Sequence, residues 1–278
     1  MSSGVACIKG TSIPKVIYMC YKHKRIPPKV IHNWQRLNPD FKVFLFDDRD
    51  CFRFLAEHFG KQFAVMFKGI PDGAIKADFW RVCVLHKMGG VYADVDIDPK
   101  IGIESFVESG VDFLTCNSMW REPNSLGPLN PHLIMAPPGS PLLKSCIARY
   151  LHLFKAKLYG YWLWSVTHVL GSVLDDATSG TSKSEVLSVL TSNTGLKIQL
   201  LRESGPSGEI IKGDSPLVGC YYGGREVLRN RYADYGKWSV RTESETHRRN
   251  GTHVGIKGLG PLRKVAVSQW TSSSFRRF

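Results

Sequence analysis

The sequence predicts an α/β fold in which a Rossmann-like mixed sheet is flanked by helices. The strongest observation is a helical pattern over 73–88, followed by two glycines and a strand pattern rich in acidic residues. Strand-like and helix-like stretches also alternate before residue 100, which is typical of a parallel α/β unit. Finally, 278 residues with 43% hydrophobic content can bury a full core.

The first part of the chain contains two strand–helix pairs. Strand patterns cover 13–21 and 41–47, and helical patterns cover 29–37 and 50–67. Ligands of such sheets bind at the carboxyl ends of the strands. We therefore expect a site where the strand after residue 90 ends.

The helix predicted over 73–88 has recognisable ends. Asp72 can cap its N-terminus, and Gly89 suits a stop with positive φ. Asp78 and Arg81 are three residues apart, so they share one face of the helix. They could form an ordinary surface ion pair worth under about 1 kcal/mol, or they could belong to a site beside the next strand.

The strand predicted over 91–98 carries its acidic side chains on one face. A period of two places Tyr92, Asp94, Asp96 and Asp98 together. Carboxylates this close repel each other unless a positive charge lies near them. Oxygen ligands without neighbouring Cys or His suit Mn²⁺ or Mg²⁺. The alternative is a solvated acidic strand end, and Asp98 could either support a metal ligand or be solvated.

The second half of the chain gives weaker patterns. The predicted elements are a strand over 112–116, helices over 141–157 and 162–176, and a turn at 205–208. The stretch 178–195 is rich in Ser, Thr and Gly and is predicted to be flexible, except for one short helix with Ser182 and Glu185 as a capping box.

Charge and cysteine content limit the possible partners and compartments. The net charge is +13, and residues 225–278 hold 12 Lys or Arg against 4 Asp or Glu. Such a region suits phosphorylated substrates or an anionic membrane surface, whereas no nucleic-acid-binding motif is present. Seven cysteines without C-x-x-C spacing indicate reduced thiols. With no signal peptide or membrane anchor, we expect a cytoplasmic, soluble enzyme or a shortened form of an anchored one.

The motif over 77–96 resembles that of the DXD-containing sugar transferases of glycosyltransferase family 32, which are related to the glucosylating toxins. It reads Ala-Asp-Phe-Trp-Arg, then Leu85, then Gly-Gly-Val-Tyr-Ala-Asp-Val-Asp. Weaker likenesses cover 13–21, where Tyr18, Met19 and Tyr21 replace the family's His, Gln and Trp. Others lie at 38–48 and 117–151.

This resemblance implies a single GT-A glycosyltransferase domain over 1–278. Residues 13–150 would form the nucleotide-sugar and metal core, and 151–278 an acceptor-side and closing region. It also implies roles for individual residues. Asp94 and Asp96 would hold Mn²⁺ or Mg²⁺, with Asp94 also near the ribose. Asp78 and Arg81 would hold the donor sugar, so that Asp78, Arg81 and Asp96 form the catalytic set.

The resemblance implies roles for three further residues. Tyr21 would stack on the nucleotide base, the alternative being a core aromatic. His253 would complete the metal shell and Lys257 would neutralise the leaving diphosphate, although the family's Trp is Gly255 here and His247 is a rival. A solvated basic tail is the alternative. We expect donor binding to order residues 247–260.

The resulting hypothesis is a metal-dependent retaining hexosyltransferase. A UDP-sugar is the first expectation for the donor and GDP-mannose the second, with a glycan, protein or lipid-linked acceptor. No nucleophile is assigned. The alternatives are a two-metal phosphohydrolase or nuclease, in which the Asp78–Arg81 helix would have no role, and a non-catalytic protein that binds a sugar nucleotide.

Overall fold

The chain forms one mixed β-sheet with helices packed against it. This computed structural model describes residues 5–118, 129–178, 189–209, 218–232 and 234. The strands are β1 (Val16–Cys20), β2 (Lys42–Phe46), β3 (Gly90–Ala93), β4 (Asp98–Pro99), β5 (Phe113–Asn117), β6 (Leu129–Ala136), β7 (Val189–Thr191), β8 (Lys197–Ser204), β9 (Gly219–Tyr222) and β10 (Arg225–Arg229). The helices are α1 (Pro28–Leu37), α2 (Asp48–Phe59), α3 (Lys61–Gly69), α4 (Gly73–Met88), α5 (Pro141–Lys155), α6 (Tyr161–Trp164) and α7 (Val166–Ala177).

The strand order is β2-β1-β3-β6-β5-β8-β9-β10-β4, with β7 beside β8. β1 pairs in parallel with β2 and with β3, whereas β6 is antiparallel to β3 and to β5. The predicted parallel α/β unit is thus present before residue 100, and antiparallel strands extend it. The expected α/β class, a mixed central sheet with flanking helices, is confirmed.

The sheet curls because of the short connection between β3 and β4. In a flat sheet six strand spacings, about 29 Å, would separate these two strands. Residues 94–97 join them, and that length of chain reaches at most about 18 Å. The curl therefore brings β10 and the segment after it close to the loop between β3 and β4.

Each face of the sheet has its own apolar cluster. Helices α2 to α7 cover one face, against which Tyr18 and Tyr92 point. Helix α1 and neighbouring loops cover the other face, which contains Ile17, Val91 and Ala93. Helix α4 is buried along 78–85, so the two charged side chains within that stretch lie inside the protein.

Four local predictions differ from the structure. The predicted strand over 91–98 ends at Ala93, since the Asp94 N–H bonds the His132 carbonyl and residues 94–97 turn before β4. The helix over 50–67 is two helices separated at Gly60, whose φ is +88°. The helix over 162–176 is interrupted by extended Ser165. The stretch 178–195 contains β7, while Ser182 and Glu185 lie outside the described residues.

Among the described residues, every helix is too short or too polar to cross a bilayer.

The turn between α4 and β3 requires glycine. Gly89 has φ +66°, and a Cβ there would lie 2.5 Å from Pro138 Cδ and 2.6 Å from Pro138 N. We expect Gly89→Ala to lower the free energy of unfolding by more than the roughly 1 kcal/mol that positive φ alone costs. Gly171→Ala is the control, because this glycine lies in α7 with open space around it. That change should raise stability by about 0.5–1 kcal/mol. Equal effects in urea unfolding would contradict this account of the turn.

Candidate functional site

The acidic motif lies at the carboxyl end of β3, next to the parallel strand β1. Asp94 and Asp96 belong to the loop that begins where β3 stops. This is the place at which ligands of α/β sheets are expected. The motif is therefore held by a loop rather than by the strand face that the sequence predicted.

Arg81 connects helix α4 to this loop. Its Nη2 lies 2.9 Å from Asp78 Oδ1 and 3.0 Å from Asp94 Oδ1. Its Nη1 donates to the Pro131 carbonyl at 2.7 Å. Only 6% of the Arg81 side chain is exposed, which rules out the ordinary surface ion pair. The charges of Asp94 and Asp78 hold the pKa of Arg81 well above its usual range despite burial.

Tyr92 supports the same carboxylate. Its hydroxyl donates to Asp94 Oδ1 at 2.9 Å, and the Arg81 guanidinium lies 4.4 Å from its ring centre. Oδ1 of Asp94 is thus fixed by two donors. Its Oδ2 has no hydrogen-bond or ion-pair partner among the described residues, so it is available to a ligand.

Asp78 joins α4 to the start of α7. Its Oδ2 accepts a hydrogen bond from the Val166 N–H at 3.0 Å. Burial raises the pKa of Asp78 to about 6, although the Arg81 charge opposes this. Asp78 therefore has a structural contact besides the donor-sugar role that the resemblance implies.

Asp96 has a weaker positive partner. Arg231 Nε lies 4.0 Å from Asp96 Oδ2. The main-chain carbonyl of Asp96 accepts a hydrogen bond from the Tyr232 N–H. Burial and the charge of Asp94 raise the pKa of Asp96 to about 7, while Arg231 lowers it. Burial and the neighbouring charge of Asp94 thus both oppose ionisation of Asp96, and a bound cation would favour it.

These two residues fit a hard divalent cation. Both provide carboxylate oxygens, and Asp94 Oδ2 has no partner among the described residues. In the described part of the chain, no thiol or imidazole nitrogen bonds either carboxylate, so the oxygens form a hard ligand set. Asp98 is turned elsewhere, because its oxygens bond Asn33 at 3.2 Å and Lys100 at 2.5 Å. Asp94 and Asp96 are therefore the candidate ligands.

Tyr21 lies just beyond the end of β1, half-buried against the core and edge-on to His23 at 5.1 Å. This position is compatible both with stacking of Tyr21 on a nucleotide base and with packing of its ring in the core. His247, His253 and Lys257 lie outside the described residues.

Sequence reasoning did not identify Arg231 or the support that Tyr92 gives Asp94. The position of Tyr92 two residues before Asp94 on the strand was the available signal.

Comparison with known proteins identifies the motif. A family profile described as "Glycosyltransferase sugar-binding region containing DXD motif" matches residues 28–109. This span includes Asp78, Arg81, Asp94 and Asp96.

Three curated relatives are mannosyltransferases or mannosyl lipid synthases by name. The "Initiation-specific alpha-1,6-mannosyltransferase" of Candida albicans is 29% identical over 92 residues, 30% of this chain and 24% of its own. "Inositol phosphoceramide mannosyltransferase 3" of Schizosaccharomyces pombe is 29% identical over 92 residues, 32% of this chain and 26% of its own. "Mannosyl phosphorylinositol ceramide synthase SUR1" of Saccharomyces cerevisiae is 27% identical over 203 residues, 59% of this chain and 53% of its own.

The chain thus spans between about a quarter and half the length of these relatives. A solved structure described as "PaToxG Glycosyltransferase" superposes with a TM-score of 0.42 at 16% identity, over 59% of this chain and 69% of the other. Residues 28–109 thus match the glycosyltransferase family whose sugar-binding region contains the DXD motif.

Proposed function

We propose that this protein is a metal-dependent retaining glycosyltransferase that moves mannose from a nucleotide donor to a glycan or lipid acceptor. The observation that carries the proposal is the buried Arg81–Asp94–Tyr92 network, which fixes one oxygen of the DXD motif and leaves the other available. A binding loop held in this way from a helix and a strand is pre-organised for its ligand.

The chemistry follows from the charges of the loop. A divalent cation, when bound, supplies positive charge that stabilises the departing nucleoside diphosphate. Asp94 and Asp96 would hold it. Arg81 pairs with Asp94 and orients its carboxylate. Asp78 lies on the same helix face as Arg81, where it would accept hydrogen bonds from sugar hydroxyls.

Mannose is favoured by the names of the relatives, which moves GDP-mannose ahead of the UDP-sugars as the proposed donor. Two of those names also include an inositol phosphoceramide. The excess of Lys and Arg over 225–278 suits an anionic lipid acceptor or peripheral contact with a membrane. The cytoplasmic location stays a prediction.

The test is a donor panel with Mn²⁺. Release of nucleoside diphosphate is measured with GDP-mannose, UDP-glucose, UDP-galactose and UDP-N-acetylglucosamine, each with and without a glycan or inositol phosphoceramide acceptor. We expect release from GDP-mannose, accelerated by an acceptor that gains mannose with retained anomeric configuration. Release of UDP from a UDP-sugar, with no release of GDP from GDP-mannose, would overturn the choice of mannose. Hydrolysis of phosphodiesters without sugar transfer would overturn the proposal in favour of a phosphohydrolase.

Asp78 provides a more specific prediction. We expect Asp78→Asn to reduce turnover about tenfold or more while changing affinity for GDP little, because a hydrogen bond between a sugar hydroxyl and a charged group is worth about 1.5–3 kcal/mol. The asparagine oxygen can still accept from Val166 N, so α7 should stay in place. Asp72→Asn, which preserves the cap of the same helix, is the control and should behave as wild type. Equal weakening of turnover and GDP affinity would mean that Asp78 is structural only.

A further inference from the structure

A second cluster of ligand-type side chains lies beneath the loop that carries the DXD motif. Its members are Cys116 on β5, His132 on β6 and Cys220 on β9. One ligand atom from each lies within 4.8 Å of the others. All three residues are buried, with the two cysteines fully inaccessible. The His132 carbonyl accepts the hydrogen bond from Asp94 N, which places the cluster beside the start of the loop.

We propose that Cys116, His132 and Cys220 form a binding site for Zn²⁺, separate from the hard-cation site at Asp94 and Asp96. Two thiolates and an imidazole are a ligand set that Zn²⁺ prefers and that Mn²⁺ and Mg²⁺ do not. The proposal is independent of the transferase function.

The distances agree with tetrahedral zinc. Zn–S and Zn–N bonds of about 2.3 and 2.05 Å place the sulfur and nitrogen about 3.5 Å apart. Cys220 Sγ lies 3.4 Å from His132 Nε2. Asn230 Oδ1 accepts a hydrogen bond from the same sulfur at 3.8 Å, so an oxygen lies close enough for a fourth position. Little movement is needed to close the three ligands around an ion.

The surroundings favour a cation. Glu203 is buried at 5% exposure and accepts hydrogen bonds from Asn130 and Asn230. Glu203 on β8 is the register partner of Cys220 on β9, so its negative charge lies next to the cluster. A divalent ion would neutralise a thiolate in a region where charge is costly.

The site would join β9 to the much earlier strands β5 and β6, from which β8 separates it in the sheet. β9 pairs with β10, which leads into the segment that reaches Asp96. Bound zinc would therefore stabilise the part of the sheet that supports the DXD loop, without contacting the donor.

The experiment uses the full chain, freed of metal by a chelator under reducing conditions and then titrated with Co²⁺. We expect one equivalent to bind with sulfur-to-cobalt charge-transfer absorption and tetrahedral visible bands, and Zn²⁺ to displace it. Cys116→Ser should roughly halve the sulfur band, since Cys220 remains, and weaken Zn²⁺ binding more than the roughly 10–100-fold that loss of a supporting group costs. Cys146→Ser, which removes a buried thiol from α5, is the control and should leave the spectrum unchanged.

Asp96→Asn should retain the cobalt spectrum, which separates this site from the DXD motif. If Cys116→Ser does not fold, the wild-type titration still decides, because absence of a sulfur band overturns the proposal. A wild-type protein whose mass shows the loss of two hydrogens, with Cys116 and Cys220 joined as a disulfide in place of a metal, would also overturn it.

Discussion

Asp96→Asn should reduce turnover of the nucleotide sugar by about 100-fold or more, because the neutral amide weakens the hold on a cation that stabilises the leaving diphosphate. The fold should become more stable at pH 8. Burial and Asp94 raise the pKa of Asp96 to about 7, so its ionised form costs folding free energy above that pH. The gain in stability should shrink as the pH falls from about 7 towards 4, where the carboxyl group is protonated in both states.

Asp98→Asn is the matched control for Asp96→Asn. Asp98 is two residues further along the chain, and its oxygens already bond Asn33 and Lys100. We expect turnover within a few fold of wild type. Wild-type turnover by the Asp96 variant, or an equal loss in both variants, would contradict the assignment of Asp96 as a ligand.

Arg81→Met should cause the largest loss of stability. The change leaves Asp78 and Asp94 without their buried cation, and breaking a buried ion pair costs about 3–5 kcal/mol. The free energy of unfolding, measured with urea, should fall by that amount. Arg53→Met is the control, since Arg53 also pairs with an aspartate three residues earlier but is 75% exposed. Its loss should cost under about 0.5 kcal/mol, and similar losses in both variants would show that burial does not set the strength of the Arg81 network.

The sequence predicted the features that depend on local chemistry. Asp72 caps α4, and its side chain accepts from the Ala74 N–H. Gly89 has the positive φ expected of the helix stop. Asp78 and Arg81 share a helix face and do form an ion pair. These features need only residues close in sequence, so their spacing was sufficient.

The end of β3 could not be predicted in the same way. Alternation of apolar and acidic residues continues through Asp98, but Asp94 N bonds the His132 carbonyl and the chain then turns. A strand pattern reports which side chains are apolar, whereas its end depends on a partner far along the chain. The loop keeps Asp94 and Asp96 near each other but turns Asp98 towards Asn33.

Long-range contacts account for the features that sequence reasoning missed. Cys220 and His132 are 88 residues apart and meet because the sheet curls. The cysteines were predicted to be scattered reduced thiols, and the seven are indeed free of disulfides. Their spacing gave no sign that two of them lie beside one histidine, because β5, β6 and β9 are brought together only by the strand order.

The most direct test of the account is the affinity of the full chain for GDP and UDP, measured by calorimetry with Mn²⁺ and again with excess chelator. We expect Mn²⁺ to strengthen nucleoside diphosphate binding at least about tenfold, because a cation can join carboxylates to phosphates. The same measurement with Asp96→Asn should lose that gain. Equal affinity with and without the metal in the wild-type protein would contradict the central claim that the DXD loop binds a nucleotide donor through a divalent cation.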